Sequence, residues 1–354
     1  MKNIILKIII LSLIFFMALD VIANNEINNK VQKYLLNKDL DKAEIYIDSL
    51  LKIFPTNTDI VYNKSLILYN KKDYKNATDL LLKIITNNDT KEIHFQLLSR
   101  LYDLQENTPK AIQYIDEGIK KFPSSGRLYY ELGLIELADQ NREQAANAFE
   151  KGIYNDPKFD KNYYQIAKLF NSSHNIIWTI IYAEIYLNIT IDNLKAREIS
   201  KILYDAYQFS IKKKDGNSKF IFFMQDESNN FMANPFKFNF QKLFNEALKN
   251  TIKNQNNIYL DDLIKIRKNF ISLWFKNNYN IHYPNILFEY HKNIIDNKFF
   301  DAYSYAIMSQ GDPQAVSIWF QNNNDKFKKY SAWSVKNTLK LNNKNKFSSK
   351  QYNY

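Results

Sequence analysis

Residues 126–159 read GRLYYELGLIELADQNREQAANAFEKGIYNDPKF, and this stretch decides the fold. Two helix-forming segments flank a polar break, and Pro157 stops the second. Proline lacks an N–H and its ring clashes with the preceding turn. Small residues recur where two antiparallel helices would cross: Gly133 in the first segment, Ala145 in the second. The separation of packed helices depends on the side chains at the contact, so small ones let the backbones close up. Large apolar residues such as Phe95, Tyr129 and Tyr163 then fill the space beside each crossing.

The pattern recurs every 34 residues. Ala145 steps back to Ala111, Ala77 and Ala43; Pro157 to Pro123 and, two further steps back, Pro55, with Asp89 between; Gly152 to Gly118. Gly133 steps back to Ser99 and Ser65 and forward to Ala167, all small. A fixed period of this length marks a repeat architecture in which each unit buries its apolar face on the next.

Tyr129, Leu132, Gly133, Ala145, Phe149 and Pro157 fall where the tetratricopeptide (TPR) pattern has W-x-x-L-G…A-x-x-x-F…P, so the stretch resembles a TPR repeat. Glu136 replaces the consensus tyrosine. The period places repeats at about 24–57, 58–91, 92–125, 126–159 and, more weakly, 160–193, where Thr179 and Ala183 stand in for the consensus Ala and Phe. The resemblance covers roughly half the chain. It implies an all-α TPR helical solenoid that binds protein or peptide partners through a concave groove lined by the first helix of each repeat. One inner position reads Tyr62, Gln96, Tyr130 and Tyr164; its neighbour one turn on reads Leu66, Arg100, Leu134 and Lys168. Arg127 and Lys161 occupy another, and Asn63 lies beside Tyr62. The candidate groove is therefore Tyr62, Asn63, Gln96, Arg100, Arg127, Tyr130, Tyr164 and Lys168, since Tyr and Arg make large rigid or planar contacts. The alternative reading is that these tyrosines pack against the adjacent helix. Only Asn63 matches a position of the carboxylate clamp in chaperone-binding TPR domains, so a chaperone tail is not the expected ligand.

The 354 residues, 45% apolar and 15% aromatic, suffice for sizeable cores. Six glycines suit helices rather than phosphate-binding loops. Abundant Lys, Asn and Ile fit an AT-rich genome, which weakens lysine number as a functional signal. Residues 1–23 read as a secretory signal peptide, with Lys2 and Lys7 ahead of the apolar run Ile8–Leu19 and a cleavage-like Val21-Ile22-Ala23. An uncleaved anchor is the alternative, although the run is short for a span of about 20 residues. There is no cysteine. Disulfides, thiolate metal sites, cysteine nucleophiles and lipidation at a signal-peptide cysteine are thereby excluded. An exported, cysteine-free repeat protein fits the periplasm or cell envelope of a Gram-negative bacterium.

The basic charge belongs to the C-terminal half. Residues 24–193 carry 21 Lys and Arg against 23 Asp and Glu, whereas residues 194–354 carry 25 against 13. Such asymmetry points to an acidic partner or an anionic surface. Residues 194–215 are expected to form a helix capping the solenoid 24–193, with Ile199, Ile202, Leu203, Ala206 and Phe209 on one side. The run 212–218 reads as a boundary. Residues 216–340 form a basic, mostly helical module, and 341–354 a loose tail. Alternation at Phe236, Phe238 and Phe240, after the aromatic run 219–224, reads as a small β-hairpin. Helices are expected at 241–252, 260–276, 283–296, 299–309 and 313–322, with Gly311-Asp312-Pro313 a tight break in an αα-hairpin. Trp274, Trp319 and Trp333 would pack this second core. Taken together, these features resemble secreted TPR proteins of Bacteroidetes-type bacteria, which implies an envelope binding protein and no chemistry.

No helical histidine pair, nucleophile elbow, P-loop or dinucleotide fingerprint is present. His282 and His291 read as surface or interface residues, and Asp261-Asp262 as the acidic start of a helix. The expectation is a non-enzymatic scaffold without cofactor or metal and with no nucleic-acid partner. Lys212–Lys214 and Lys326-Phe327-Lys328-Lys329 could touch an anionic envelope surface, and the alternatives to the scaffold are such a tether or a cell-envelope hydrolase with a TPR arm.

Overall fold

The computed structural model describes residues 29–352 apart from 32, 212, 215–218, 221–234 and 253–258. The expected signal peptide, 1–23, lies outside the described residues. None of the described helices is long and apolar enough to cross a membrane. The chain divides into two compact units, Met1–Pro123 and Ser124–Tyr354.

The fold class is the expected one, all-α and built from stacked helix pairs. In the first unit Leu40–Ile53 is followed by the pairs Thr58–Asn70 with Tyr74–Leu82 and Glu92–Leu104 with Thr108–Lys121. In the second unit Gly126–Ala138 pairs with Arg142–Asn155, and Asp160–Ser172 with Ile176–Ile189. First helices begin at 58, 92, 126 and 160, and second helices at 40, 74, 108, 142 and 176, each a step of 34. The small residues do what the period predicts. Ala43, Ala77, Ala111 and Ala145 are fully buried, as are Ser65, Ser99 and Ala167. A Cβ at Gly133 would lie 2.3 Å from the Phe149 ring, so only glycine allows this crossing.

The turn between the two helices of each repeat is itself periodic. Lys38, Lys72, Glu106, Gln140 and His174 all have positive φ, between 58° and 64°, again at steps of 34. At each, this residue donates its N–H three residues back and the next residue donates five back; Gln140 reaches Leu137 at 3.1 Å and Asn141 reaches Glu136 at 2.8 Å. This left-handed closure satisfies the last carbonyls of the first helix. The following residue, Asp39, Asp73, Asn107, Asn141 or Asn175, is the N-cap of the second helix. Asp and Asn favour that place because their side-chain oxygens accept from the orphan N–H groups of the first turn, as Asn107 does from Lys110. Glu136, which stands where the consensus has tyrosine, accepts from Asn141 Nδ2 at 3.0 Å.

Ile176–Ile189 is the centre of the second unit. Its residues 176–186 are all buried. It packs on Asp160–Ser172, on Asn193–Ser210 and on Ile286–Asp296. Thr179 and Ala183, the residues that depart from the consensus, are both fully buried. Asn193–Ser210 buries Ile199, Leu203 and Ala206, the side expected to cap the solenoid.

The run 212–218 does not divide the core. One continuous hydrophobic cluster runs from Ala145 to Tyr352 through Trp178, Phe240, Trp274 and Phe347. The expected hairpin is corrected in part. Lys213–Lys214 pairs antiparallel with Lys219–Phe220, but Pro235–Lys249 is a helix. The alternation at 236, 238 and 240 loses to the helical spacing Phe240, Phe244, Ala247, Leu248, all buried. The rest of the aromatic run, 221–224, lies outside the described residues. Beyond it stand Leu260–Lys276, Tyr279–His282, Ile286–Asp296, Phe300–Ile307, Pro313–Asn322 and Asn324–Lys336. Asp312 caps Pro313–Asn322, accepting from Ala315 N at 3.0 Å. Lys298, φ 64°, closes the turn between Ile286–Asp296 and Phe300–Ile307 with the same pair of bonds as the repeats. Trp274 is fully buried, Trp319 stacks on Tyr305 at 4.6 Å, and Trp333 packs on Phe299 at 5.6 Å.

The tail read as loose is packed. Leu341, Phe347 and Tyr352 are buried, and Tyr352 stacks on Phe240 at 4.3 Å. Ser348 and Ser349 donate their hydroxyls to buried Glu150 at 2.5 Å. Two aromatic rings outweigh the polar composition around them, because burying each is worth roughly 1.5–3 kcal/mol.

Candidate functional site

The groove positions lie on the first helices of their repeats. In the first unit Tyr62 is half-buried and meets the His94 ring edge-on at 5.4 Å. Asn63, beside it, is only 2% exposed. Gln96 and Arg100, one turn apart on Glu92–Leu104, are half-buried.

In the second unit the residues fall into two groups. The Arg127 guanidinium stands 5.7 Å over the Phe159 ring. Phe159 is also 5.9 Å edge-on from Tyr130, whose ring lies 5.9 Å from the Lys161 ammonium. Arg127, Tyr130 and Lys161 thus share one partly exposed aromatic surface. Tyr164 and Lys168 are used differently. Tyr164 is 8% exposed, packs on Tyr186 at 5.5 Å and donates its hydroxyl to Glu198 at 2.5 Å. Lys168 pairs with Glu198 at 2.8 Å. Burial first, then the bond to Glu198, raises the Tyr164 hydroxyl pKa; the Glu198 hydrogen bond raises that of Lys168. At Tyr164 the packing reading describes the geometry, because the next helix, Asn193–Ser210, supplies Glu198 and Lys195 around the ring.

A cluster that the sequence reading missed lies in the core of the second unit. Glu184 is fully buried on Ile176–Ile189 and forms an ion pair with Arg267 of Leu260–Lys276. The same carboxylate oxygen accepts from Tyr303 at 2.9 Å and lies 2.8 Å from His291 Nε2. Arg267 donates to Ser304 at 2.8 Å. His291, expected at the surface or an interface, is buried in the core, because its helix faces inward with Leu287, Phe288 and Ile294. Burial would raise the Glu184 pKa, but Arg267, then His291, hold it down to about 2. Burial also lowers the His291 pKa, and Glu184 offsets this only in part. His291 is therefore a neutral donor to a carboxylate whose charge Arg267 balances. The signal was present as single charges on apolar faces: Glu184 within IIWTIIYAEIYLNI, and Arg267 in the row Leu263, Arg267, Phe270, Trp274. The adjoining cavity, about 10 Å³, is too small for an organic ligand.

No group of three or more metal-ligating side chains that could hold an ion occurs among the described residues. Asp262 acts as a helix-starting residue, accepting from Tyr259 N at 3.3 Å, while Asp261 accepts from the Tyr305 hydroxyl. Of the basic tail run, Lys326 pairs with Asp301 and Phe327 packs edge-on against Phe320 at 4.5 Å. Lys328 and Lys329 are exposed. Lys212 lies outside the described residues.

Comparison with known proteins bears on the repeats. The family model "Tetratricopeptide repeat" matches residues 126–159. No curated protein matches. Among solved structures, PilF of Pseudomonas aeruginosa is similar at 17% identity and a TM-score of 0.43, covering 52% of this chain and 86% of its own. MamA from Desulfovibrio magneticus RS-1 is similar at 17% identity and 0.36, covering 47% and 92%. YrrB, titled a TPR protein with an unusual peptide-binding site, is similar at 16% and 0.35, covering 49% and 89%. Likenesses this weak do not extend to function. Residues 126–159 are a tetratricopeptide repeat, and the helix pairs on either side of them in the sequence keep its 34-residue step.

Proposed function

We propose that this protein is an exported, non-catalytic scaffold that binds another envelope protein or peptide through the first helices of its repeats. The observation that carries the reading is the half-buried state of Gln96 and Arg100 in the first unit and of Arg127 and Tyr130 in the second. Half-buried planar and aromatic groups suit anchors for a partner chain, since little rotamer entropy is lost on contact. The leader-like residues 1–23 support export, and the absence of cysteine fits that route.

The test is a photo-crosslinking residue at Tyr130 in living cells, with mass spectrometry of what is captured. One envelope protein, lost when Arg100 and Arg127 are both changed to Ala, is the expected result. Background capture alone, or capture indifferent to both arginines, rules out these positions as the binding site.

A further inference from the structure

The second unit holds an open cleft of about 570 Å³ lined by residues of Leu260–Lys276, Ile286–Asp296, Phe300–Ile307, Pro313–Asn322 and Asn324–Lys336, with Lys298. This volume lies within the roughly 300–1,000 Å³ common to small-molecule sites. Its apolar wall is Ile264, Ile295 and Phe300, together with Trp319 stacked on Tyr305 at an interplanar angle of 16°. Its charged lining is Lys265, Lys268, Lys298 and Lys326 with Asp261 and Asp301.

Both acids are already engaged. Asp301 pairs with Lys326, and Asp261 accepts the Tyr305 hydroxyl. Lys265 stands 3.7 Å from Asp262. Lys268 and Lys298 have no ion-pair partner among the described residues. Lys265 and Lys268 are three residues apart on one helix and so share a face. The cleft therefore sets uncompensated ammonium groups beside a flat aromatic wall. A cationic ligand would be repelled, and a neutral one would leave the ammonium groups without a counter-charge.

We propose that this cleft binds a small organic anion with a flat apolar body, an aromatic carboxylate or phosphate. The ring lies against Trp319, and the anionic group meets Lys268 and Lys298. This inference stands apart from the scaffold reading, because no groove residue lines the cleft.

The test titrates the full chain with benzoate, indole-3-acetate and adenosine 5′-monophosphate, each beside its neutral counterpart benzamide, indole-3-acetamide or adenosine. Saturation-transfer NMR and calorimetry report binding without relying on tryptophan emission. At least one anion is expected to bind about tenfold or more tighter than its neutral counterpart, the gain of one charge-assisted contact. Its affinity should fall with added salt. Lys268→Gln with Lys298→Gln should weaken it about tenfold, as should Trp319→Leu, whereas Lys328→Gln with Lys329→Gln should not. The lysine changes lie at exposed positions, so they keep the test valid if Trp319→Leu unfolds. The proposal is overturned if no anion of the panel binds below about 1 mM, if the neutral counterparts bind equally, or if the Lys328/Lys329 variant weakens binding as much.

Discussion

Glu184 and Arg267 stand 83 residues apart in the chain and meet as an ion pair with both side chains removed from water. The pair joins the last repeat to the C-terminal helices, with Tyr303 and His291 against the carboxylate and Ser304 against the guanidinium. Breaking a buried pair leaves an uncompensated charge, which typically costs about 3–5 kcal/mol, whereas replacing both partners costs far less. Arg267→Met should therefore destabilise the second unit by about 3–5 kcal/mol, and adding Glu184→Gln should recover part of the loss. Urea unfolding followed by tryptophan emission reads this unit alone, since Trp178, Trp274, Trp319 and Trp333 all lie in it. A double variant no more stable than Arg267→Met would show that the pair is not energetically coupled.

His291 gives that stability a pH dependence. Burial lowers its pKa, so the unfolded chain binds a proton that the folded chain refuses. Stability contributed by the neutral imidazole is present above the unfolded value, near 6.5, and declines as pH falls below it towards the folded value. For this one proton the slope cannot exceed about 1.4 kcal/mol per pH unit. Glu184, whose pKa is lowered to about 2, adds a second loss as pH drops from its ordinary value of 4.5 towards 2. The tryptophan-detected midpoint should thus fall as pH is lowered below about 6.5, and His291→Gln should flatten that decline. An unchanged slope in His291→Gln would assign it to another group.

The left-handed turns make a prediction about sequence. A non-glycine residue there carries a cost of about 1–2 kcal/mol, and Gln140 is exposed with φ 64°. Gln140→Gly should stabilise the second unit by up to about 1 kcal/mol, the gain being reduced by the extra freedom of glycine in the unfolded chain. Gln140→Val should destabilise it, since a β-branched side chain fits this conformation worst. Equal midpoints for the two variants would show that the turn relaxes.

The C-terminal segment is part of the core. Phe347 is fully buried, 5.4 Å edge-on from Tyr182. Phe347→Ala should cost about 3–5 kcal/mol, as for other fully buried aromatic residues. Lys350→Ala, at an exposed position, should cost under about 0.5 kcal/mol. Similar small effects from both would mean that the tail detaches in solution.

The repeats were legible in the sequence because their information is local. A helix pair closes on small residues at fixed steps, a polar turn and a proline, all within 34 residues of one another. Ala43, Ala77, Ala111 and Ala145 announced their burial, and Asp39, Asp73, Asn107, Asn141 and Asn175 carried a second periodic signal, at the turn, that a reading of the apolar pattern alone passes over. The groove positions were legible as positions on helices, but not in their accessibility. Tyr130 and Tyr164 occupy the same place in successive repeats, yet Tyr164 is buried because Asn193–Ser210 lies across it and supplies Glu198.

Local pattern ran out where partners come from far along the chain. The alternation at Phe236, Phe238 and Phe240 read as strand, and the contacts of Phe240 with Trp178 and Tyr352 go with a helix instead. Polar composition read residues 341–354 as loose, but Phe347 and Tyr352 find an aromatic core made by segments up to 174 residues away. His291 read as a surface or interface residue, and its helix turns it into the core towards Glu184. By itself the sequence determined the repeat, its period and its caps, because those are contacts between near neighbours. Only the tertiary structure decided which polar and aromatic side chains face water, because burial depends on which distant segment covers them.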